Sequence, residues 1–353
     1  MKSIRSAVTC SPGTRYAPET DTLWLALSNA TISCFAAATT VTVSLQAIGS
    51  VRVAVFLQEK MVMDFVCTDE TKTISIPCPS ESAQQIQICK LSEPHYGILG
   101  ISALTCDGGT CSPLPPAPHH LAFIGDSITC GYGIDAASPE EPFSIATEHA
   151  AKSYAAQTAK LLHADAHILS YSGFGVYSGF PEESCKNETD LLPLVYEAAG
   201  FYHYQPENWK STILLPFAPP EAVILYLGTN DSAYLHLFPE KGAAFQAAYA
   251  AFLQKLRSQF PTAFLVCMIG MSSDLDAAPF IRNAVAAAQQ QDNRLALCDV
   301  RSAVGTDFGA NHHPGAVTQR NAAKLLADLL RKHLPFSVRT TCFFQRMKKI
   351  YGN

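Results

Sequence analysis

A serine, a glycine turn, an asparagine and a histidine stand in this order along the chain, each shortly behind an apolar run. Ser127 closes LAFIGDS, Gly173 lies in SYSGFGVY, Asn230 in LYLGTNDSA and His313 in ANHHPGAV. A hydroxyl, a glycine N–H, a side-chain amide and an imidazole are the inventory for acyl transfer from an ester: nucleophile, oxyanion donors and general base. Each has an ordinary reading too. Gly125-Asp126-Ser127 suits a polar turn, Gly173 and Gly175 suit a tight turn, and Asn230-Asp231 suits a helix N-cap. The joint occurrence, in chain order, favours the chemical reading. His312 competes with His313 as base, but a proline holds the residue before it extended, which fixes His313 in one direction. Asp126 and Asp231 read as turn and cap residues.

Such a set works only if the fold gathers it. In an open α/β sheet the loops after parallel strands meet at one edge, the carboxyl edge. Strands are expected at 121–124, 166–171, 222–227, 263–269 and 295–300, with helices at 150–164, 191–199, 242–259, 279–290 and 318–334. This alternation predicts a flavodoxin-like α/β domain over 119–334, its five-stranded parallel sheet covered on both faces. Upstream, short runs at 23–27, 32–36, 41–45, 51–55, 61–67, 71–76, 86–88 and 98–104 alternate apolar and polar residues. They predict an N-terminal β-sandwich of jelly-roll type over 12–111. The proline-rich 112–118 reads as a stiff linker. The tail, 335–353, carries Arg339, Arg346, Lys348 and Lys349 and reads as a solvated basic terminus.

The 353 residues are 48% hydrophobic, enough for a sizeable core. A net charge of −5 argues against a broad nucleic-acid or anionic-membrane surface. The first residues lack the continuous apolar stretch of a signal peptide, which leads to an expectation of a cytoplasmic chain, with an extracellular one less favoured. The 12 cysteines are then expected as reduced thiols. Cys106 and Cys111, in TCDGGTC, are the pair most able to close a hairpin. His119, His120, His163, His167 and Cys130 do not meet a structural zinc pattern.

The four blocks resemble those of the SGNH, or GDSL-like, hydrolase superfamily. GDSITCGYG, TEHAAKSYAAQTAKLL, SYSGFGVY, LYLGTNDSA and HHPGAV, with KLSEPHYGILGI before the linker, are similar to carbohydrate esterase family 2. The resemblance spans about residues 12–334. It implies Ser127 as nucleophile and His313 as general base, with the Ser127 N–H, the Gly173 N–H and the Asn230 amide as oxyanion hole. It implies no metal or organic cofactor. The implied reaction removes acetyl groups from plant polysaccharides or oligosaccharides of the xylan or mannan type. One departure stands out. The Asp usual three or two residues before the histidine is replaced by Ala310 and Asn311. Asn311, a backbone carbonyl or the more distant Asp307 is left to orient the imidazole, the first two ranking above Asp307. Aromatic residues between Gly175 and Pro220 (Tyr177, Tyr196, Phe201, Tyr202, Tyr204, Trp209) are candidates for a sugar subsite, with core packing the commoner use of each. Two other functions compete: a GDSL-type lipase or thioesterase, and a carbohydrate-binding protein without catalysis.

Overall fold

The computed structural model describes residues 3–79, 83–182, 185–271 and 276–336. The basic residues of the tail lie outside them.

The first part is antiparallel. Its strands are β1 (Thr9–Cys10), β2 (Arg15–Ala17), β3 (Thr22–Leu25), β4 (Ala30–Ala37), β5 (Thr40–Leu57), β6 (Lys60–Thr68), β7 (Thr71–Pro77), β8 (Gln84–Lys90), β9 (Gly97–Asp107) and β10 (Thr110–Pro113). The runs at 41–45 and 51–55 were expected as two strands, but β5 is continuous through both. Its first half pairs with β7 and β9, and its second half with β6 and β8, so one strand serves both leaves of the sandwich. Gly49, at φ +73, lies between the halves, where a Cβ would sit 2.3 Å from the Tyr96 carbonyl oxygen. Only glycine suits that conformation and that approach. The alternating residues Val41, Val43, Leu45, Val51, Val53 and Val55 are all buried.

Two boundaries differ from expectation, and one strand pairs across the parts. Thr9–Cys10 pairs with β4, so the sandwich starts before residue 12. Ser112 and Pro113 pair with Phe35 and Cys34 at the end of β10, which shortens the linker; as an end residue Pro113 is compatible with a strand. The short β13 (Ile213–Leu214), from the second part, pairs with β2. Cys106 and Cys111 are bonded, with Cα atoms 6.2 Å apart across the β9–β10 hairpin, which corrects the expectation of wholly reduced thiols.

The second part has five parallel strands in the order β12 (Ala164–Ser170), β11 (His119–Gly125), β14 (Ala222–Tyr226), β15 (Phe264–Ile269) and β16 (Leu295–Asp299). This is the flavodoxin-like order. Alternate residues of each strand face opposite layers. Leu121 and Phe123 share a core with α2 (Tyr154–Leu162) and α7 (Ala316–His333). Ala122 and Ile124 share one with α5 (Gly242–Gln259) and α6 (Ala278–Gln289). That second core continues into the sandwich through Leu23, Leu25 and Leu27. The helix expected at 191–199 is the short α3 (Leu192–Val195) with one further turn to Ala198, and two short helices were not expected: α1 (Ser127–Cys130) and α4 (Thr229–Leu237). Among the described residues no helix is long and apolar enough to cross a membrane.

Candidate active site

β11 ends at Gly125 and the chain turns at once into α1. Asp126 caps that helix, its carboxylate accepting the Ile128 N–H at 3.0 Å. Burial pushes the Asp126 carboxyl up to about 7. Ser127 is therefore the first helical residue, where a backbone N–H has no intrahelical acceptor, and it is 5% exposed.

The loop carrying His313 follows β16. The imidazole Nε2 lies 2.9 Å from Ser127 Oγ. Its Nδ1 lies 3.2 Å from the Ala310 carbonyl oxygen. An acceptor at Nδ1 places the ring proton there and leaves Nε2 free to take the serine hydrogen. His313 is extended, at φ −67 and ψ 154, as a residue before proline should be. Burial holds its pKa below the ordinary imidazole value, partly opposed by the carbonyls of Ala310 and Asn311. His312 is exposed, with its ring 6.0 Å from Phe308.

The three candidates for orienting His313 separate clearly. The carbonyl of Ala310 contacts the ring. The Asn311 side chain does not; at φ +50 it donates instead to the Tyr132 hydroxyl at 2.9 Å. The Tyr132 ring stacks on His313, with centroids 4.2 Å apart, and Phe143 stacks on the other face of Tyr132 at 4.1 Å. Asn311 thus acts on the imidazole through an aromatic plate. Asp307 does not reach the ring. Its oxygens accept the Val317 N–H at 2.6 Å, the Thr318 N–H at 3.2 Å and the Thr318 hydroxyl at 3.0 Å, all at the start of α7. Asp307, the lowest ranked of the three for orienting His313, stands instead at the helix terminus, where a carboxylate is favoured. Tyr132 belongs to the GDSITCGYG block, but no sequence signal shows that its ring covers the histidine.

The turn after β12 supplies Gly173, at φ +82. A Cβ there would meet nothing within 4 Å. Glycine is required by backbone conformation, and open space remains for an approaching group. Asn230 is the second residue of α4, and its Nδ2 donates to the Phe174 carbonyl at 2.8 Å. That bond uses one amide hydrogen and ties the α4 terminus to the glycine turn. Asp231, fully buried, accepts from the N–H groups of Val176, Tyr177 and Ser178 at 3.0, 2.7 and 2.9 Å. It was read as a cap residue; it anchors the loop that follows Gly173. Its partners lie 53 to 55 positions away, a separation that no local sequence pattern marks.

The proposed aromatic subsite is not gathered as a set. Phe201 and Tyr196 are buried, Phe201 against Trp24 and Ile98 of the sandwich. Trp209 lies under the Arg15 guanidinium, 4.1 Å from its ring centroid. Tyr202 is exposed. Two exposed rings that the sequence did not single out border the site through backbone contacts. The Phe180 N–H donates to the Gly173 carbonyl at 2.7 Å, and Phe308 bridges to Pro314. An apolar hollow lined by His120, Leu121, Tyr196, Phe217 and Phe260 lies towards the amino end of β11 and contains none of the four site residues.

A serine at a strand's carboxyl end, an imidazole on its hydroxyl, and a glycine turn joined to an asparagine are the groups that acyl transfer through a serine requires, carried here on a flavodoxin-like sheet. The sequence profile of the GDSL-like Lipase/Acylhydrolase family matches residues 123–328, and the chain belongs to that family. It is 28% identical over 265 residues to cellulase/esterase CelE of Acetivibrio thermocellus, covering 72% of this chain and 30% of that protein. It is 29% identical over 234 residues to an acetylxylan esterase / glucomannan deacetylase of Cellvibrio japonicus, covering 63% of this chain and 60% of that one. The chain thus spans less than two thirds of the length of either relative. A family two carbohydrate esterase from Clostridium thermocellum, solved in complex with cellohexaose, superposes with a TM-score of 0.81 at 21% identity. That match covers 94% of this chain and 100% of the other, so sandwich and parallel sheet form a shared two-part fold.

Proposed function

We propose that this chain is a carbohydrate O-acetylesterase acting on acetylated xylan- or mannan-type polysaccharides or their oligosaccharides. The observation that carries the reading is the 2.9 Å contact between Ser127 Oγ and His313 Nε2. In the reaction, His313 takes the Ser127 proton as Oγ attacks the acetyl carbonyl carbon. Negative charge on the carbonyl oxygen is met by the N–H of Ser127, the N–H of Gly173 and the Asn230 amide. Collapse breaks the ester C–O bond, and His313 returns the proton to the departing sugar oxygen. Water, activated by the same imidazole, then releases acetate from the acyl-serine. Ser127 and His313 act as a dyad, with the Ala310 carbonyl fixing the tautomer. The sugar preference is supported by the activities named for the two relatives and by the exposed rings of Phe180 and Phe308 beside the site.

The test compares acetylated xylo- and manno-oligosaccharides with a chain-length series of nitrophenyl esters. Acetate release from the sugars, with aryl-ester turnover falling as the acyl chain lengthens, is expected. Turnover rising towards long chains would point to a lipase or thioesterase. Sugar binding without any hydrolysis would point to a non-catalytic binding protein.

A further inference from the structure

We propose that Glu93, contributed by the sandwich, is a positioning residue for the oxyanion turn of the α/β part; this rests on the reading of the Gly173 N–H as an oxyanion donor. Glu93 lies on the connection between β8 and β9 and is fully buried. Its carboxylate takes both hydrogens that Ser172 can offer: Oε2 accepts the Ser172 N–H at 2.6 Å, and Oε1 accepts the Ser172 hydroxyl. Ser172 immediately precedes Gly173. Pinning its backbone and its side chain together fixes the peptide plane that aims the next N–H. The carboxylate matches this pair of donors because both its oxygens accept. An amide of the same shape would turn an NH2 towards one of them.

The clamp is itself held. The Glu93 N–H donates to Glu148 Oε1 at 2.8 Å, and the Lys90 ammonium donates to the carbonyls of Glu93 and Ser92 at 3.0 and 2.7 Å. Lys90 and Glu148 are fully buried as well. The nucleophile helix rests on the same group. Cys130 Sγ lies 3.7 Å from Ser172 Oγ and donates to the Ser127 carbonyl at 3.2 Å. Nucleophile helix and oxyanion turn therefore share one buried support that reaches across from the sandwich. Glu93, Cys130 and Glu148 also bring ligand-type atoms within 4.8 Å of one another. A metal ion suits them poorly, because both Glu93 oxygens and one of Glu148 already accept hydrogens and the Lys90 cation stands beside them. Burying carboxylates in this way is weak support for stability. Its return is the fixed direction of the turn.

The test uses the full chain and an aryl acetate, with active sites counted by reaction with an organophosphonate. Glu93→Gln is expected to lower kcat per active site by about 10- to 100-fold, the scale of a misplaced reacting group, with KM within about twofold. A boronic acid that mimics the tetrahedral oxyanion should lose affinity in parallel, while deacetylated oligosaccharide binds as before. Ser172→Ala, which keeps the backbone N–H, should give a smaller loss of kcat, and the double variant should be no worse than Glu93→Gln. Unchanged kcat per active site in Glu93→Gln overturns the proposal. So does a loss of activity explained wholly by fewer reactive sites. If Glu93→Gln does not fold, Ser172→Ala decides: wild-type kcat and boronate affinity overturn the proposal, and a parallel loss of both supports it. A wild-type chain that neither turns over aryl acetate nor reacts with the phosphonate would instead refute the proposed function.

Discussion

In the proposed reaction His313 works as a base without a carboxylate behind it, so it must be kept neutral and aimed by other means. Burial does the first for His313, by penalising the charged ring. The Ala310 carbonyl and the Tyr132 plate do the second. The sign of the pH effect follows. Protonation removes the acceptor for the serine hydrogen, so kcat/KM is lost as pH falls through a pKa lying below the ordinary imidazole value of about 6.5. The acid limb of the kcat/KM profile should therefore have its midpoint under that value; a midpoint above it would contradict the account. At this scale the approach of His313 to Ser127 and the link of Asn230 to the Gly173 turn were legible because each residue stands behind an apolar strand of one parallel sheet. Asn311 was legible as a candidate but not as a partner of Tyr132. A left-handed backbone at φ +50 redirects its side chain, and no periodicity announces such a turn.

The elements that carry the site are the five strands and the turns leaving them. Strand positions could be read because fully buried strands are short unbroken apolar runs, and 242–259 was read as a helix from its amphipathic spacing. The helices that touch the chemistry, α1 and α4, were missed. α1 has only 4 residues, and α4 carries Asn230, Asp231, Ser232, Tyr234 and Leu235 buried together, so polar and apolar residues share its inner side. Asp307 belongs at this scale. Its bonds to Val317 and Thr318 fix the start of α7, and breaking such a terminus costs about 0.5–2 kcal/mol. Asp307→Asn should lower thermal stability by that amount while kcat stays within a few-fold of wild type. A drop in kcat on the order of 10⁴, the size seen for loss of a triad aspartate, would show that the dyad assignment is wrong.

Across the whole molecule the sandwich is built into the α/β part. Buried leucines of the sandwich continue the core beneath the parallel sheet. Arg52 of β5 pairs with Asp64 of the sandwich. It also donates to Asp135 and to the Glu148 carbonyl of the α/β part, each at 2.9 Å. Its side chain is 8% exposed and those of Asp64 and Asp135 are 28% and 20% exposed, so removing it leaves two partly shielded carboxylates without that cation. Arg52→Ala should cost about 3 kcal/mol, with fluorescence and circular dichroism reporting one shared urea transition. Two separated transitions, or a cost below about 1 kcal/mol, the range of an exposed pair, would contradict this coupling. Two parts with a proline-rich connection were readable from the change in pattern between 111 and 119. Their joint was not, because the partners that meet across it include, beside strand residues such as Arg52, loop residues such as Glu93, Asp135 and Glu148, whose spacing follows neither a helix nor a strand.

The most direct test of the central claim is acetate release from acetylated xylan and mannan oligosaccharides by the wild-type chain and by Ser127→Ala. The account predicts steady release by the wild type and a loss on the order of 10⁶-fold in the variant, the scale expected when a catalytic serine is removed. Equal release by the two proteins would contradict it.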